Sequence, residues 1–240
     1  MLSIIIPTFN EAHTISQTLE QVAGLRGRFE VLVVDGGSVD GTVEIVRRSG
    51  IKIITSVERG RGAQMHAGAS AARGDALLFL HADTHPPPDA VERITGALNA
   101  PKTVGGNFAV RFDGRGRAAR FLTWLYPQLR KLGLCYGDSA IFARREVYNE
   151  IGGFQSFPIF EDLDLVRRLR KRGRVVHLSA VVVTSSRRFE NRSFAFTFGR
   201  WASLQVLYWL GVSPRTLSRL YAPIRGRGEG RERECAGRAC

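Results

Sequence analysis

The chain has 240 residues, 44% of them hydrophobic, which is enough for one packed core and excludes a mostly disordered chain. Its formal net charge of +13 favours a polyanionic partner without choosing among nucleic acid, acidic lipid and a phosphorylated substrate. The three cysteines form no CxxC pair, so neither a zinc site nor a disulfide framework is predicted. The apolar start ends at Pro7 without a basic leader and is interpreted as a core strand of a cytoplasmic protein.

Four short apolar runs predict strands that are buried on both faces, because they lack the polar alternation of a half-exposed strand. Helix-like segments lie between them, and this alternation predicts an α/β fold with an open sheet. The predicted strands are 2–6, 29–34, 52–55 and 76–80, and the helices between them are 11–22, 42–48 and 62–72.

The regular alternation of predicted strands and helices does not continue in the second half of the chain. Residues 107–112 alternate like a half-exposed strand, and a helix is predicted to begin near Asp89. Further strands are predicted at 139–143 and 175–186, further helices at 117–132 and 161–173, and aromatics and leucines are mixed with arginines over 194–221.

Polar residues follow each of the first four predicted strands, at the edge where ligands bind in open α/β sheets. A single aspartate at a strand end is typical of a turn, but four such ends together favour a binding site. A Walker loop is absent, and Met65 breaks a dinucleotide fingerprint. Asp35 is placed to bind a base or ribose, and Arg59 and Arg61, on a glycine-rich turn, are placed to meet a diphosphate.

Five blocks of the sequence resemble, in order and spacing, the family 2 glycosyltransferases of GT-A fold. They are IIIPTFNEAHTI, VVDGGSVDGT, GRGAQMHAGASAARGDALLFLHADT, GDSAIFARREVYNEIGGF and EDLDLVRRL, within residues 2–185. The nearest subgroup is that of small bacterial transferases found beside radical-SAM proteins. The resemblance implies a Rossmann-like, mixed but mainly parallel sheet with helices on both faces. It also implies sugar transfer from a UDP-sugar or GDP-sugar to an acceptor hydroxyl, with inversion and with the help of Mg²⁺ or Mn²⁺.

The resemblance carries the family's donor-binding roles to individual positions. The second acid of the usual D-D pair is replaced by Gly36, which leaves the choice between uracil and guanine open. The D-x-D motif reads His81-Ala82-Asp83, so Asp83 is the expected metal ligand and His81 is assigned to the sugar or phosphate, with a structural histidine as the alternative. The residues assigned to the nucleotide are Pro7, Thr8, Asn10, Glu11, Asp35, Arg59 and Arg61.

Glu161 and Asp162 match the family's E-D pair, which implies that Asp162 is the general base and that Glu161 orients it. Capping of the following helix is the alternative for either acid. Asp138, in the preceding block, is assigned to the donor sugar or the acceptor.

The chain is divided into a transferase domain (1–186), a basic aromatic segment (187–224) and a disordered tail (225–240). The middle segment is interpreted either as a helical cap over the acceptor side or as an in-plane helix on an anionic membrane, which a lipid-linked acceptor would favour. The second reading places the protein peripherally on the inner face of the cell membrane.

Three alternatives to an inverting transferase are weighed. They are a retaining transferase of the same fold, a nucleotide-binding protein without turnover, and a basic nucleic-acid-binding protein. Nucleic acid is not expected as a partner, because acids cluster at the predicted ligand-binding edge (the rim) of the sheet. The sequence also contains no known nucleic-acid-binding motif.

Overall fold

A computed structural model describes residues 1–58, 60–114, 116–131, 133–187 and 194–220. Within these ranges eight strands form one sheet in the order β3-β2-β1-β4-β7-β6-β8-β5. The strands are β1 (Leu2–Thr8), β2 (Phe29–Asp35), β3 (Lys52–Thr55), β4 (Ala76–Phe79), β5 (Thr84–His85), β6 (Thr103–Phe112), β7 (Ile141–Arg144) and β8 (Arg174–Thr184). The first four pair in parallel, and β7 joins β4 and β6 in antiparallel orientation. The predicted mixed, mainly parallel sheet is therefore confirmed.

Helices cover both faces of the sheet, also as predicted. They are α1 (Ile15–Ala23), α2 (Thr42–Arg48), α3 (Arg61–Ala71), α4 (Ala90–Leu98), α5 (Arg117–Lys131), α6 (Arg145–Glu150), α7 (Glu161–Arg170), α8 (Phe194–Trp209) and α9 (Pro214–Leu220). Successive residues of β1 point to opposite faces. Ile4 packs in the cluster that contains α1 and α4, whereas Ile5 packs in the cluster that contains α3 and α7. The continuous apolar run of β1 thus serves two cores.

Strand β6 contains the alternating strand expected over 107–112 but is longer than predicted. It begins at Thr103, and its first six residues are buried because β7 and β8 flank it and α7 lies over it. Gly105 allows the close approach of β7, since a Cβ there would lie 2.5 Å from the carbonyl oxygen of Phe142. Only the last residues of β6 alternate, with Arg111 exposed between Val110 and Phe112.

The two C-terminal helices pack beside the carboxyl end of the central strands. The inner face of α8 and α9, with Leu204 and Leu217, forms a third apolar cluster with Tyr136, Phe160 and Leu163. Within the described ranges, no helix has the length and apolar character needed to cross a bilayer. The predicted tail at 225–240 lies outside the described residues, and the division into domains stays a prediction.

Candidate active site

The loop after β2 is held by the carboxylate of Asp35. Its oxygens accept hydrogen bonds from the backbone N–H groups of Gly37 and Ser38, both at 2.9 Å, and from the hydroxyl of Ser38 at 2.5 Å. The hydroxyl of Thr8 lies 3.4 Å away at the end of β1, and Asp35 is 3% exposed. In this conformation the protein itself uses the carboxylate, so the assignment of Asp35 to a base or ribose stays a prediction.

Gln64 explains the glycine that replaces the family's second acid. Its amide, buried on α3, donates to the carbonyl oxygens of Thr8 at 2.7 Å and Val34 at 2.9 Å, which ties together the ends of β1 and β2. A Cβ on Gly36 would lie 2.9 Å from the Gln64 amide nitrogen, so a larger residue there collides with this crosslink. Gln64 could not be predicted from the sequence, because its partners are backbone atoms of two distant strands.

Asn10 and Glu11 continue the rim after β1. Asn10 adopts a positive φ of 56°, and its side-chain oxygen accepts the backbone N–H of Val39 at 2.9 Å. The carboxylate of Glu11 accepts the hydroxyl of Thr14 at 2.9 Å and forms an ion pair with Arg187. These contacts join the loop after β1 to the segment that follows β8.

Arg187 is the residue that links the predicted nucleotide and metal positions. Its guanidinium contacts Glu11 and lies 3.4 Å from the carboxylate of Asp83. Burial raises the pKa of Asp83, an effect that Asp138 and Glu11 increase and that His81 and Arg187 oppose. Arg187 was not among the predicted site residues, since it lies far along the chain in a run of charges. Arg59, which was predicted, lies outside the described residues.

His81 and Asp138 form a second polar centre next to Asp83. The Nδ1 atom of His81 lies 3.1 Å from one oxygen of Asp138, and the hydroxyl of Tyr126 donates to the other at 3.0 Å. The Nε2 atom of His81 is buried without a partner among the described residues. A Cβ on Gly137 would lie 2.5 Å from this nitrogen, so only glycine fits beside the ring.

The acid pair lies at the N-terminus of α7. The side chain of Arg61, at the start of α3, donates from Nε to Glu161 at 2.6 Å, and Glu161 is 1% exposed. Asp162 accepts the backbone N–H of Gly137 at 2.5 Å and that of Leu163 at 2.8 Å. Burial, together with the charge of the adjacent Glu161, raises the pKa of Asp162 to about 6, against the opposing charge of Arg61. Burial by itself lowers the pKa of Arg61, but the charges of Glu161 and Asp162 hold that pKa above its ordinary value.

Asp162 opens onto a cavity of about 280 Å³. Five predicted residues line one end of it: Arg61, His81, Asp138, Glu161 and Asp162. The remaining walls are largely apolar and come from α5, from the segment between α5 and β7, from the loop before α7 and from α8. They include Leu122, Tyr126, Tyr136, Phe160, Phe196, Trp201 and Leu204. The cavity therefore joins a carboxylate-rich end to an aromatic one.

The predicted residues thus fall into three connected groups. Thr8, Asn10 and Asp35 belong to the loop network, and Pro7 is buried within β1. Glu11 and Asp83 meet at Arg187, and the other five line the cavity. Helix α3 connects the groups, because Gln64 binds the strand ends while Arg61 binds Glu161.

The donor atoms around Asp83 were tested against the Mg²⁺ or Mn²⁺ that the fold implies. Within the described ranges, no cluster of three or more histidine, cysteine or acidic side chains is placed to hold a metal. The single carboxylate of Asp83, partly exposed and already paired with a cation, fits a hard ion that takes its other oxygen ligands from a diphosphate. It does not fit an ion held by protein alone.

This sheet order and rim of acids define a GT-A type transferase fold, and solved structures share it. The mannosyltransferase PcManGT from Pyrobaculum calidifontis, in complex with GDP-Man and Mn²⁺, superposes with a TM-score of 0.67 at 22% identity, covering 86% of this chain and 61% of that one. Staphylococcus aureus TarS 1–349 in complex with UDP-GlcNAc gives 0.62 at 18% identity, covering 81% and 60%.

Sequence comparison identifies the family. The model of glycosyl transferase family 2 matches residues 3–152, and the chain belongs to this family. The PGL/p-HBAD biosynthesis glycosyltransferase of Mycobacterium bovis is 32% identical over 202 residues, covering 79% of this chain and 77% of the relative. The resemblance to family 2 is thereby confirmed, whereas the radical-SAM association stays a prediction.

Two further relatives are longer than this chain. Glycosyltransferase AglE of Haloferax volcanii is 30% identical over 169 residues, which cover 64% of this chain and 55% of the relative. An undecaprenyl-phosphate 4-deoxy-4-formamido-L-arabinose transferase of Aeromonas hydrophila is 29% identical over 108 residues, covering 40% and 33%. The chain therefore spans about half or less of these relatives.

Proposed function

We propose that the protein is a glycosyltransferase that moves a sugar from a nucleoside diphosphate sugar to an acceptor hydroxyl, with inversion. The observation that carries the proposal is the cavity, which brings Asp162, Glu161, Asp138 and His81 together beside the carboxyl ends of the parallel strands. Family membership and the fold shared with nucleotide-sugar complexes support it. A UDP-sugar is favoured, and a GDP-sugar is the alternative donor.

In this proposal the donor's diphosphate lies near Asp83 and Arg187. Asp83 holds a Mg²⁺ or Mn²⁺ ion, which when bound neutralises the charge of the departing nucleoside diphosphate. Arg187, now paired with Glu11 and Asp83, supplies a guanidinium that a phosphate attracts. His81 and Asp138 then face the sugar, with the imidazole held by the carboxylate of Asp138 and that carboxylate held by Tyr126.

Asp162 acts as the general base toward the acceptor. Each of its oxygens accepts one backbone hydrogen bond and retains a further lone pair for the acceptor hydroxyl. As the hydroxyl oxygen attacks the anomeric carbon, its proton passes to Asp162 and the bond to the diphosphate oxygen breaks. The pKa of about 6 leaves the side chain ionised at neutral pH and more basic than an exposed aspartate. Glu161, fixed by Arg61, holds its neighbour in place.

The apolar end of the cavity suits an acceptor with an apolar part, and we propose a lipid-linked acceptor. Phe196, Trp201 and Leu204 of α8 and Leu122 of α5 line it. The relatives named as undecaprenyl-phosphate transferases support this class of acceptor. The acceptor hydroxyl would then lie at the Asp162 end of the cavity and the apolar chain along α8.

Thermal unfolding with UDP and with GDP, each with and without Mn²⁺, tests the donor site. A nucleotide at about 100 times its dissociation constant adds about 2.7 kcal/mol to the unfolding free energy. For a domain of this size that corresponds to a rise in Tm of roughly 5 to 10 °C. We expect one of the two nucleotides to raise Tm, and Mn²⁺ to increase the rise.

Asp83→Asn should abolish the Mn²⁺-dependent part of the rise and the transfer activity while leaving the fold intact. Asp75→Asn, at an exposed carboxylate paired with the chain's N-terminus, is the matched control and should leave both unchanged. If neither nucleotide changes the Tm of the unsubstituted protein, the proposed donor is wrong. If folded Asp83→Asn keeps normal turnover, Asp83 has no place in the site.

A further inference from the structure

The outer face of α5 carries only cations, aromatics and one amide. Positions one helical turn apart share a face, and the six exposed residues of α5 follow that spacing. They are Arg117, Arg120, Phe121, Trp124, Gln128 and Lys131. Trp124 is 62% exposed, although a side chain of this size is usually buried. Residues 116–131 contain no aspartate or glutamate, so no acid on α5 neutralises these charges.

The outer face of α8 carries no charge and is mostly apolar. Its exposed positions are Phe196, Gly199, Ser203, Val206, Trp209 and Leu210 just beyond its end. Phe196 is 65% exposed and Trp209 is 58% exposed. Residues 194–220 also lack acids, and the following helix α9 adds the exposed cations Arg215 and Arg219.

The two faces adjoin, and one residue of the α8 face also lines the cavity described above. Phe121 of α5 contacts Phe194 and Phe198 of α8, with ring centroids 5.7 and 5.5 Å apart. Phe196 is exposed on the outer face of α8 and also lines the cavity. Phe196 therefore connects the outer face of α8 with the wall of the cavity.

We propose that α5 and α8 form a docking surface for a bilayer that contains anionic phospholipids. The apolar stripe of α8 enters the acyl boundary, and the arginines and lysine of α5 bind lipid phosphates. Charge complementarity favours an anionic membrane as the partner, since α5, α8 and α9 carry cations and no acids. This proposal rests on the proposed function, because the role of membrane docking would be to bring the hydroxyl of a lipid-linked acceptor to Asp162.

Flotation of the full chain with lipid vesicles tests the surface. At low salt the protein should float with vesicles of phosphatidylglycerol and phosphatidylcholine and stay unbound with phosphatidylcholine alone. Arg117→Gln with Arg120→Gln should weaken binding by about fivefold for each arginine. The charge-matched control is Arg28→Gln with Arg47→Gln, two exposed arginines elsewhere on the molecule. An equal loss in the control would mean nonspecific attraction to a basic protein and would overturn the proposal.

Apolar variants and tryptophan fluorescence separate insertion from charge alone. Trp124→Ala with Leu210→Ser should reduce vesicle binding, whereas Val39→Ser with Val57→Ser, also highly exposed, should not. Brominated lipids should quench the fluorescence of the bound protein, and Trp124→Phe should diminish that quenching. Absence of quenching overturns the proposal, as does a stable dimer in solution that Trp124→Ala dissociates.

The nucleotide measurements distinguish failure of this proposal from failure of the proposed function. A protein that binds UDP or GDP but does not float has the proposed donor site without the docking surface. A protein that floats, loses flotation in the Arg117 and Arg120 variant, and ignores both nucleotides has the surface without the donor site.

Discussion

Replacing Asp162 by asparagine separates the chemistry of the site from its stability. The variant keeps the shape of the side chain but loses the carboxylate that accepts the acceptor's proton. Transfer should fall by about 10²–10⁴-fold, the usual contribution of a general base. The rise in Tm with nucleotide should persist, because the contacts of Asp83 and Arg187 do not involve Asp162.

The carboxyl group of Asp162 gives the unsubstituted protein a calculable pH dependence of stability that the variant lacks. Burial, with the charge of Glu161, raises the pKa of Asp162 from 3.8 to about 6. A carboxyl group with a raised folded-state pKa stabilises the fold fully below its unfolded-state pKa, and this contribution is lost as the pH rises through its folded-state pKa. At about 1.36 kcal/mol per pH unit, the shift corresponds to about 3 kcal/mol. As the pH rises from below 3.8 to above about 6, the unfolding free energy of the unsubstituted protein should therefore fall by about 3 kcal/mol relative to that of Asp162→Asn.

Urea unfolding of both proteins from about pH 3, below the unfolded-state pKa, to about pH 7 measures this difference. Asp75→Asn is the control with the opposite sign. The chain's N-terminal amine lowers the pKa of Asp75, which therefore stabilises the fold above its unfolded-state pKa. A difference between Asp162→Asn and the unsubstituted protein that does not vary with pH would refute the burial argument. Normal turnover by the folded variant would refute the assignment of the base.

Two further substitutions probe the neighbouring groups. Gly137→Ala places a methyl group against the His81 ring, so the unfolding free energy should fall by about 1–3 kcal/mol and turnover should fall with it. Gly96→Ala on α4, which has open space, should be neutral or stabilising, and equal losses in both would contradict the steric argument. Arg187→Ala removes the guanidinium that the proposal places beside the donor's diphosphate, so the rise in Tm with nucleotide and Mn²⁺ should become smaller; an unchanged rise would contradict that placement.

The parallel half of the fold could be predicted from the sequence because most of its strands are continuously apolar. The predicted burial on both faces is wrong for β3, which lies at the edge of the sheet and has no buried residue. The runs in β1, β2 and β4 are continuous since both faces of these strands are covered. Strand β5 has two residues, which is too short for any periodicity, and it forms only by pairing with β8. The first part of β6 was missed because Gly105 and its neighbour disfavour a strand locally, although the sheet requires them there.

The site could be predicted only where its residues follow strands or motifs. Asp83, Asp138 and Asp162 were named from their blocks, and the fold brings them to one region. Gln64 and Arg187 were missed because their roles depend on atoms that lie far away in the sequence. A helical cap over the acceptor side was one of the two interpretations of the segment that contains α8, but the wall from α5 was missed, since α5 and α8 meet only in the tertiary structure.

Backbone strain is concentrated where the site needs its shape. Within the described ranges the non-glycine residues with positive φ are Asn10, Ala140 and Phe160, with angles of 56°, 50° and 61°. They stand after β1, before β7 and before α7, next to the rim, the Gly137 turn and the acid pair respectively. Each costs about 1–3 kcal/mol.

The packing around Phe160 shows how one of these costs is offset. Its ring packs against Tyr208 of α8 with centroids 5.0 Å apart, inside the apolar cluster that α8 and α9 complete. Burial of an aromatic ring of this kind contributes about 1.5–3 kcal/mol, which matches the strain. Helix α8 therefore does more than line the cavity: together with α9, it stabilises the turn that directs Glu161 and Asp162 into it.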